Sequence, residues 1–127
     1  PVICVSGDGG VQMNIQELAT ATAYGLPVIL CIFNNSYLGM VRQWQKLFYG
    51  NRFADTDPHR KTDFVKVAEA FGVKGMRISN NDEIDSVIKE AVNYNGPVVV
   101  DCCISPDSNV LPMIPPGGSA EDIITTF

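Results

Sequence analysis

Four short apolar runs punctuate this chain: "VICVS" (2–6), "PVILCIF" (27–33), "KGMRIS" (74–79) and "GPVVVDCCIS" (96–105). Between them lie stretches with helical periodicity, and this alternation constrains the fold more than any other feature. Strands separated by helices pair through crossovers, which gives parallel neighbours with helices packed on the faces of the sheet. The expected class is therefore α/β, a mostly parallel sheet with helices on both faces. "PVILCIF" is continuously apolar, as in a strand covered on both sides. "VICVS" is likewise expected to be a short buried strand.

The intervening segments predict four helices. The first spans 14–24, with Asn14 and Glu17 spaced as a capping box and Gly25 placed to stop it. The second spans 40–49 and puts Val41, Trp44 and Phe48 on one face. The third, 63–72, ends at a glycine. The fourth spans 81–94, with an apolar stripe of Ile84, Val87, Ile88 and Ala91. A tail rich in Pro and Gly follows, with a short final helix expected. No internal repeat or linker divides the chain, so 1–127 is expected to be one domain.

Composition narrows the function classes. The chain has 127 residues, enough for a real core. Hydrophobic residues are 46% and charged residues 18%, a globular rather than disordered balance. A net charge of −5 argues against a nucleic-acid partner, which would select a basic surface. No apolar run approaches the roughly 20 residues that span a bilayer, and no signal peptide is read at the start. The cysteines, Cys4, Cys31, Cys102 and Cys103, form no CxxC pair and sit in strand-like runs. They are expected to be buried free thiols in a reducing, cytoplasmic compartment. His59, alone in a polar stretch, is not expected to bind zinc. The chain opens with a proline directly before a strand rather than with Met, which suggests a piece of a larger polypeptide.

Two polar segments fall at the carboxyl ends of consecutive predicted strands: "GDGG" (7–10) and "NNSYLG" (34–39). Ligands of open α/β sheets bind at such ends, in a crevice where strand order reverses. Taken alone, each segment is a turn in most proteins. If their strands are neighbours, the two loops face one another, and their residue types suit a magnesium diphosphate. Magnesium takes six oxygens, several of them from phosphate and water. Asp8 offers a carboxylate oxygen, Asn35 an amide oxygen, and the backbone near Tyr37 a carbonyl. Gly9 and Gly10 let backbone N–H groups approach phosphate, and the helix after them would present its positive end. A dinucleotide fingerprint lacks its third glycine here, and a P-loop lacks its Gly-Lys-Ser/Thr. A phosphoacceptor receiver would want clustered acids, and only Asp8 fits.

Gly7-Asp8-Gly9, then 24 residues, then Asn34-Asn35 resembles the thiamine diphosphate motif. "GMVRQWQKLFYGNRF" (39–53) and "VLPMIPPGG" (110–118) resemble acetohydroxyacid synthase (acetolactate synthase) catalytic subunits. The likeness runs over essentially the whole chain and implies the C-terminal, thiamine-diphosphate-binding domain of a three-domain subunit. It implies Asp8 and Asn35 as magnesium ligands by side chain and Tyr37 by backbone oxygen. Gly7, Gly9, Gly10, Gly39 and Met40 would contact the cofactor. Met40, Val41 and Trp44 would wall the substrate channel. Helical periodicity alone would put Trp44 in the core with Val41 and Phe48; the resemblance reverses that preference. Tyr37 and Leu38 stand where many relatives carry more polar residues, which leaves a main-chain metal contact intact.

The resemblance further implies a reaction that joins two 2-oxo acids, the first losing carbon dioxide, in branched-chain amino acid biosynthesis. It implies FAD in the full-length enzyme, though not in this chain. It also implies a homo-oligomeric catalytic subunit and leaves room for a regulatory small subunit. The glutamate that activates the cofactor would come from another domain on a partner subunit, so none of Glu17, Glu69, Glu83, Glu90 or Glu121 is assigned to it. The alternatives are another thiamine-diphosphate carboligase, decarboxylase or oxidase, a flavodoxin-like or receiver-like module without catalysis, and a bare structural domain.

Overall fold

The computed structural model describes residues 2–57 and 62–126; His59, and with it the zinc expectation, lies outside the described residues. Among the described residues four strands form one sheet: β1 (Val2–Gly7), β2 (Val28–Asn34), β3 (Lys74–Ile78) and β4 (Val98–Cys103). Their order is β1-β2-β4-β3, and every pairing is parallel. The helices are α1 (Asp8–Val11), α2 (Glu17–Ala23), α3 (Gly39–Phe48), α4 (Phe64–Ala70) and α5 (Ile84–Asn93). Among the described residues, no helix is long and apolar enough to cross a membrane.

Side chains alternate across each strand, so the core has two layers. Ile32 and Val99 pack under α1 and α4 with Val11, Phe64, Ala68 and Val73. Ile29, Cys31, Val98 and Val100 pack on the opposite face with Ala91 of α5. Val98, Val99 and Val100 are all fully buried, because β4 is central and covered on both faces. Each such side chain contributes about 1.5–3 kcal/mol relative to an exposed one. The expected class, a parallel sheet with helices on both faces, is what the chain adopts.

Several boundaries and environments differ from expectation. β1 is not buried: Val2 is 69% and Val5 60% exposed. It lies at the sheet edge and pairs only with β2, and α5 sits over β3 and β4 instead. The helix expected from residue 14 starts at Glu17, with Gln16 as its N-cap and no side-chain cap. The Asn14–Glu17 capping box does not form; the Glu17 carboxylate accepts instead from Thr20 Oγ1 at 3.1 Å. α4 does begin on a side-chain cap: Asp63 accepts from the amides of Val65 and Lys66. It is closed by Gly72 at φ +74°, a left-handed position. Residues 81–83 form a 3-10 turn before α5, and the tail ends in another at Ala120–Asp122 rather than a helix. All four cysteines are free, but Cys4 and Cys103 are exposed, because they sit on the edge strand and at the end of β4.

Candidate diphosphate-binding site

β1 and β2 are direct neighbours, with Gly7 paired to Phe33 at their carboxyl ends. The loops that follow therefore emerge side by side. Gly7, Asp8, Gly9, Gly10, Asn35, Tyr37, Gly39, Met40 and Val41 all line one cavity of about 690 Å³. Every residue expected to hold the cofactor or its metal is brought to this one place. The expected reversal of strand order is not seen at this crevice among the described strands. Among the described strands the order turns back only at β4–β3, and the cavity is made by the loops of adjacent parallel strands.

Asp8 is 4% exposed, a carboxylate buried at the head of α1. The glycines do not precede a long helix; Gly9 and Gly10 lie inside the single turn Asp8–Val11. Their value is close backbone approach rather than a helix dipole, which four residues scarcely build. Across the cavity, Asn35 Oδ1 accepts from the Tyr37 amide at 3.0 Å, an Asx turn that fixes the side chain. Gly39 packs tightly beside it: a Cβ there would lie 3.0 Å from Asn35 Nδ2, so the amide would have to shift by a few tenths of an ångström. Among the described residues there is no cluster of three or more acidic, histidine or cysteine groups suited to a metal. Among the three residues expected to hold the metal, the oxygens are the Asp8 carboxylate, the Asn35 amide and the Tyr37 main-chain carbonyl, and Ser108 and Asn109 add a hydroxyl and a second amide to the lining. That set suits a hard cation that also draws on phosphate and water, so the residues present fit magnesium with a diphosphate.

α3 runs away from this cavity, and its apolar face lines a second one of about 570 Å³ with Met40, Val41, Trp44, Gln45, Tyr49 and Arg52. Met40 and Val41 belong to both cavities. Trp44 is exposed and packs edge-on to Phe48, with centroids 5.9 Å apart. Val41 and Trp44, which periodicity would place in the core with Phe48, thus wall an open groove. The buried residue of α3 is Gln43, whose amide donates to the Val110 carbonyl (2.9 Å) and whose oxygen accepts from the Val110 amide (2.7 Å). That exchange ties the tail to α3, and Ser108, Asn109 and Val110 complete the first cavity. Gln43 carried no sequence signal, since a glutamine in an amphipathic helix reads as surface.

The "NNSYLG" loop is itself anchored from below. Asn34 Nδ2 donates to Asp101 Oδ1 at 3.0 Å, and Asp101 is 1% exposed. Arg77 donates to Asp101 Oδ2 through Nε (3.1 Å) and pairs with Asp63 through Nη2 (2.7 Å). Desolvation pulls the Asp63 carboxyl upward, but hydrogen bonds and charge from Lys66 and Arg77 hold it below its usual range. The same two carboxylates raise Arg77 despite its own desolvation. Asp101 and Arg77 were not singled out in the sequence, because each sits in a strand with no motif around it.

The comparisons with known proteins bear on this geometry. Residues 1–102 match the family model of the thiamine pyrophosphate enzyme C-terminal TPP-binding domain. The chain belongs to that family. Thiamine pyrophosphate is another name for thiamine diphosphate, so the TPP-binding domain resemblance read from the motif holds. Over 123 residues the TPP-binding domain is 50% identical to a probable acetolactate synthase large subunit of Methanocaldococcus jannaschii, covering 97% of this chain and 21% of that protein. A similarly named protein of Methanococcus aeolicus is 48% identical, over 97% of this chain and 20% of its own length. The acetolactate synthase isozyme 2 large subunit of Escherichia coli is 38% identical, over 97% and 22%. Among solved structures, a Rhodococcus jostii thiamine diphosphate-dependent 4-hydroxybenzoylformate decarboxylase superposes with a TM-score of 0.75 at 28% identity. That match covers 82% of this TPP-binding domain and 20% of the decarboxylase chain. The chain spans about a fifth of the length of the curated relatives it matches.

Proposed function

We propose that this chain is the diphosphate- and magnesium-binding part of a thiamine-diphosphate-dependent acetolactate synthase, a transferase. The full enzyme would condense pyruvate with a second 2-oxo acid in branched-chain amino acid biosynthesis. The observation that carries the reading is the single cavity shared by Asp8, Asn35 and Tyr37 across two neighbouring strand ends. In this reading the Asp8 carboxylate, the Asn35 amide oxygen and the Tyr37 main-chain carbonyl hold magnesium. The amides of Gly9 and Gly10 meet phosphate oxygens, while Gly39 and Met40 lie along the cofactor. Met40, Val41 and Trp44 wall the substrate approach. When bound, thiamine diphosphate supplies a nucleophilic carbon for the 2-oxo acid carbonyl and takes up the electrons released with carbon dioxide.

The remaining parts of the reaction belong to the longer protein in this reading. They are the activating glutamate on another domain, the FAD of the full-length enzyme, a homo-oligomeric catalytic assembly with room for a regulatory subunit, and a cytoplasmic setting. A second reading, a thiamine-diphosphate decarboxylase, draws on the structural likeness to the Rhodococcus protein. The relatives named acetolactate synthase are the more similar in sequence, which favours the synthase.

The test is a titration of Trp44 fluorescence with thiamine diphosphate, with and without magnesium. Trp44 is the only tryptophan, and its groove shares Met40 and Val41 with the cofactor cavity. A saturable, magnesium-dependent change that Asp8→Ala weakens at least about 100-fold is expected, since a lost charged ligand costs several kcal/mol. Equal binding by the variant would overturn the metal assignment. By itself the chain is expected to form no acetolactate, and detectable product from these 127 residues would refute the division of labour proposed here.

A further inference from the structure

A buried carboxylate at the end of a central strand requires an explanation. Asp101 lies on β4 in register with Arg77 of β3 on one side and Ile32 of β2 on the other. Burying its charge is costly unless it is paired and hydrogen-bonded. Arg77 supplies both requirements through Oδ2, with Nε at 3.1 Å and Nη2 at 3.0 Å. Oδ1 is then directed at Asn34, whose Nδ2 lies 3.0 Å away.

That hydrogen bond sets the orientation of the Asn34 amide. A carboxylate only accepts, so the NH2 group must face Asp101 and the amide oxygen must point the other way. The oxygen then accepts from the Ser36 amide at 3.1 Å and from Ser36 Oγ at 3.3 Å. Ser36 has φ +60°, a left-handed conformation that a non-glycine residue adopts only when held. The Asn34 carbonyl is fixed as well, accepting from the Ile104 amide at 3.0 Å. Next to this pinned turn stands Asn35, whose own oxygen accepts from the Tyr37 amide.

We propose that Asp101, aligned by Arg77, is a positioning residue that orients the Asn34 amide and so holds residues 35–37 in metal-binding geometry. Arg77 also bonds Asp63, the cap of α4, so the start of that helix and the metal loop share one cation. The consequence for magnesium rests on the proposed function; the ordering of the loop does not.

The experiment uses two variants of this chain. Asp101→Asn removes the charge that Arg77 and Asn34 share. Asn34→Ala leaves the Asp101–Arg77 pair intact and removes only the relay, so it keeps the test open should the first variant fail to fold. Amide hydrogen exchange is measured at Ser36 and Tyr37 and, as reference, at Val99 and Val100. Binding of magnesium with thiamine diphosphate is titrated alongside. Both variants are expected to speed exchange at Ser36 and Tyr37 about five- to tenfold while the reference amides stay unchanged, as suits the loss of one local hydrogen bond. Magnesium affinity should fall by a similar factor. Unchanged exchange at Ser36 in Asn34→Ala would overturn the proposal. So would uniformly faster exchange in both variants, which marks a merely structural pair. If the unsubstituted chain binds no magnesium–thiamine diphosphate, the proposed function fails while exchange at Ser36 still decides the positioning role.

Discussion

At the scale of single residues, the cysteines show how position divides like groups. Burial raises the Cys102 thiol, with the neighbouring Cys31, Asp101 and Cys103 adding to it, to about 11. Cys31 is also raised by burial. Because the thiolate is the nucleophile, only about one Cys102 in a thousand is reactive at pH 8. Iodoacetamide should therefore label exposed Cys4 well before Cys102, and Cys102 labelling should climb as pH rises toward 11. Mass spectrometry of the folded protein checks this; equal rates at Cys4 and Cys102 at pH 8 would contradict it. The sequence suggested four equivalent buried thiols, because all four lie in apolar runs. Exposure depends on which strand is at the edge, and no single run carries that information.

At the scale of elements, α4 and β3 pack closely enough to demand a glycine. A Cβ at Gly75 would lie 2.8 Å from the Val65 carbonyl oxygen and 2.9 Å from its Cγ1. Gly75→Ala must push α4 off the sheet and should destabilise the fold by about 1–3 kcal/mol, the usual cost of overpacking. Urea unfolding of the variant measures this, and a midpoint equal to the parent's would refute it. The strand and helix types were legible because apolar spacing reports them directly. The helix starting at Glu17 was misplaced because its capping box is a local pattern that the turn from Gln12 to Gln16 overrides. The two 3-10 turns were read as helix because their spacing is close to that of a helix.

At the scale of the whole molecule, the sheet is unevenly covered. Ile3 and Val5 share the α5 face by register with Ile29 and Cys31, yet they stay 53% and 60% exposed. With Val2 on the opposite face also exposed, β1 offers an apolar edge of the kind that associates with other chains. The chain should self-associate with rising concentration, and Ile3→Lys with Val5→Lys should reduce this in sedimentation velocity. Monomeric behaviour of the parent at high concentration would refute that expectation.

The order of amino acids was enough to read the fold class and the likeness to the cofactor motif. The first rests on the spacing of apolar residues, the second on the resemblance carried by Gly7-Asp8-Gly9 and Asn34-Asn35 set 24 residues apart. Asp8 and Asn35 could be named as candidates from the sequence because both lie within that motif. The three-dimensional arrangement alone made β1 and β2 neighbours, and hence gave the two loops one cavity. It alone exposed the Val41–Trp44 face of α3, because the hydrogen bonds of Gln43 to the tail turn the opposite side inward. It alone joined Asp63, Arg77, Asp101 and Asn34, which lie on four separate segments. Such a network leaves no trace in local spacing, because parallel strands bring together residues far apart in the chain, and register alone chooses which ones meet.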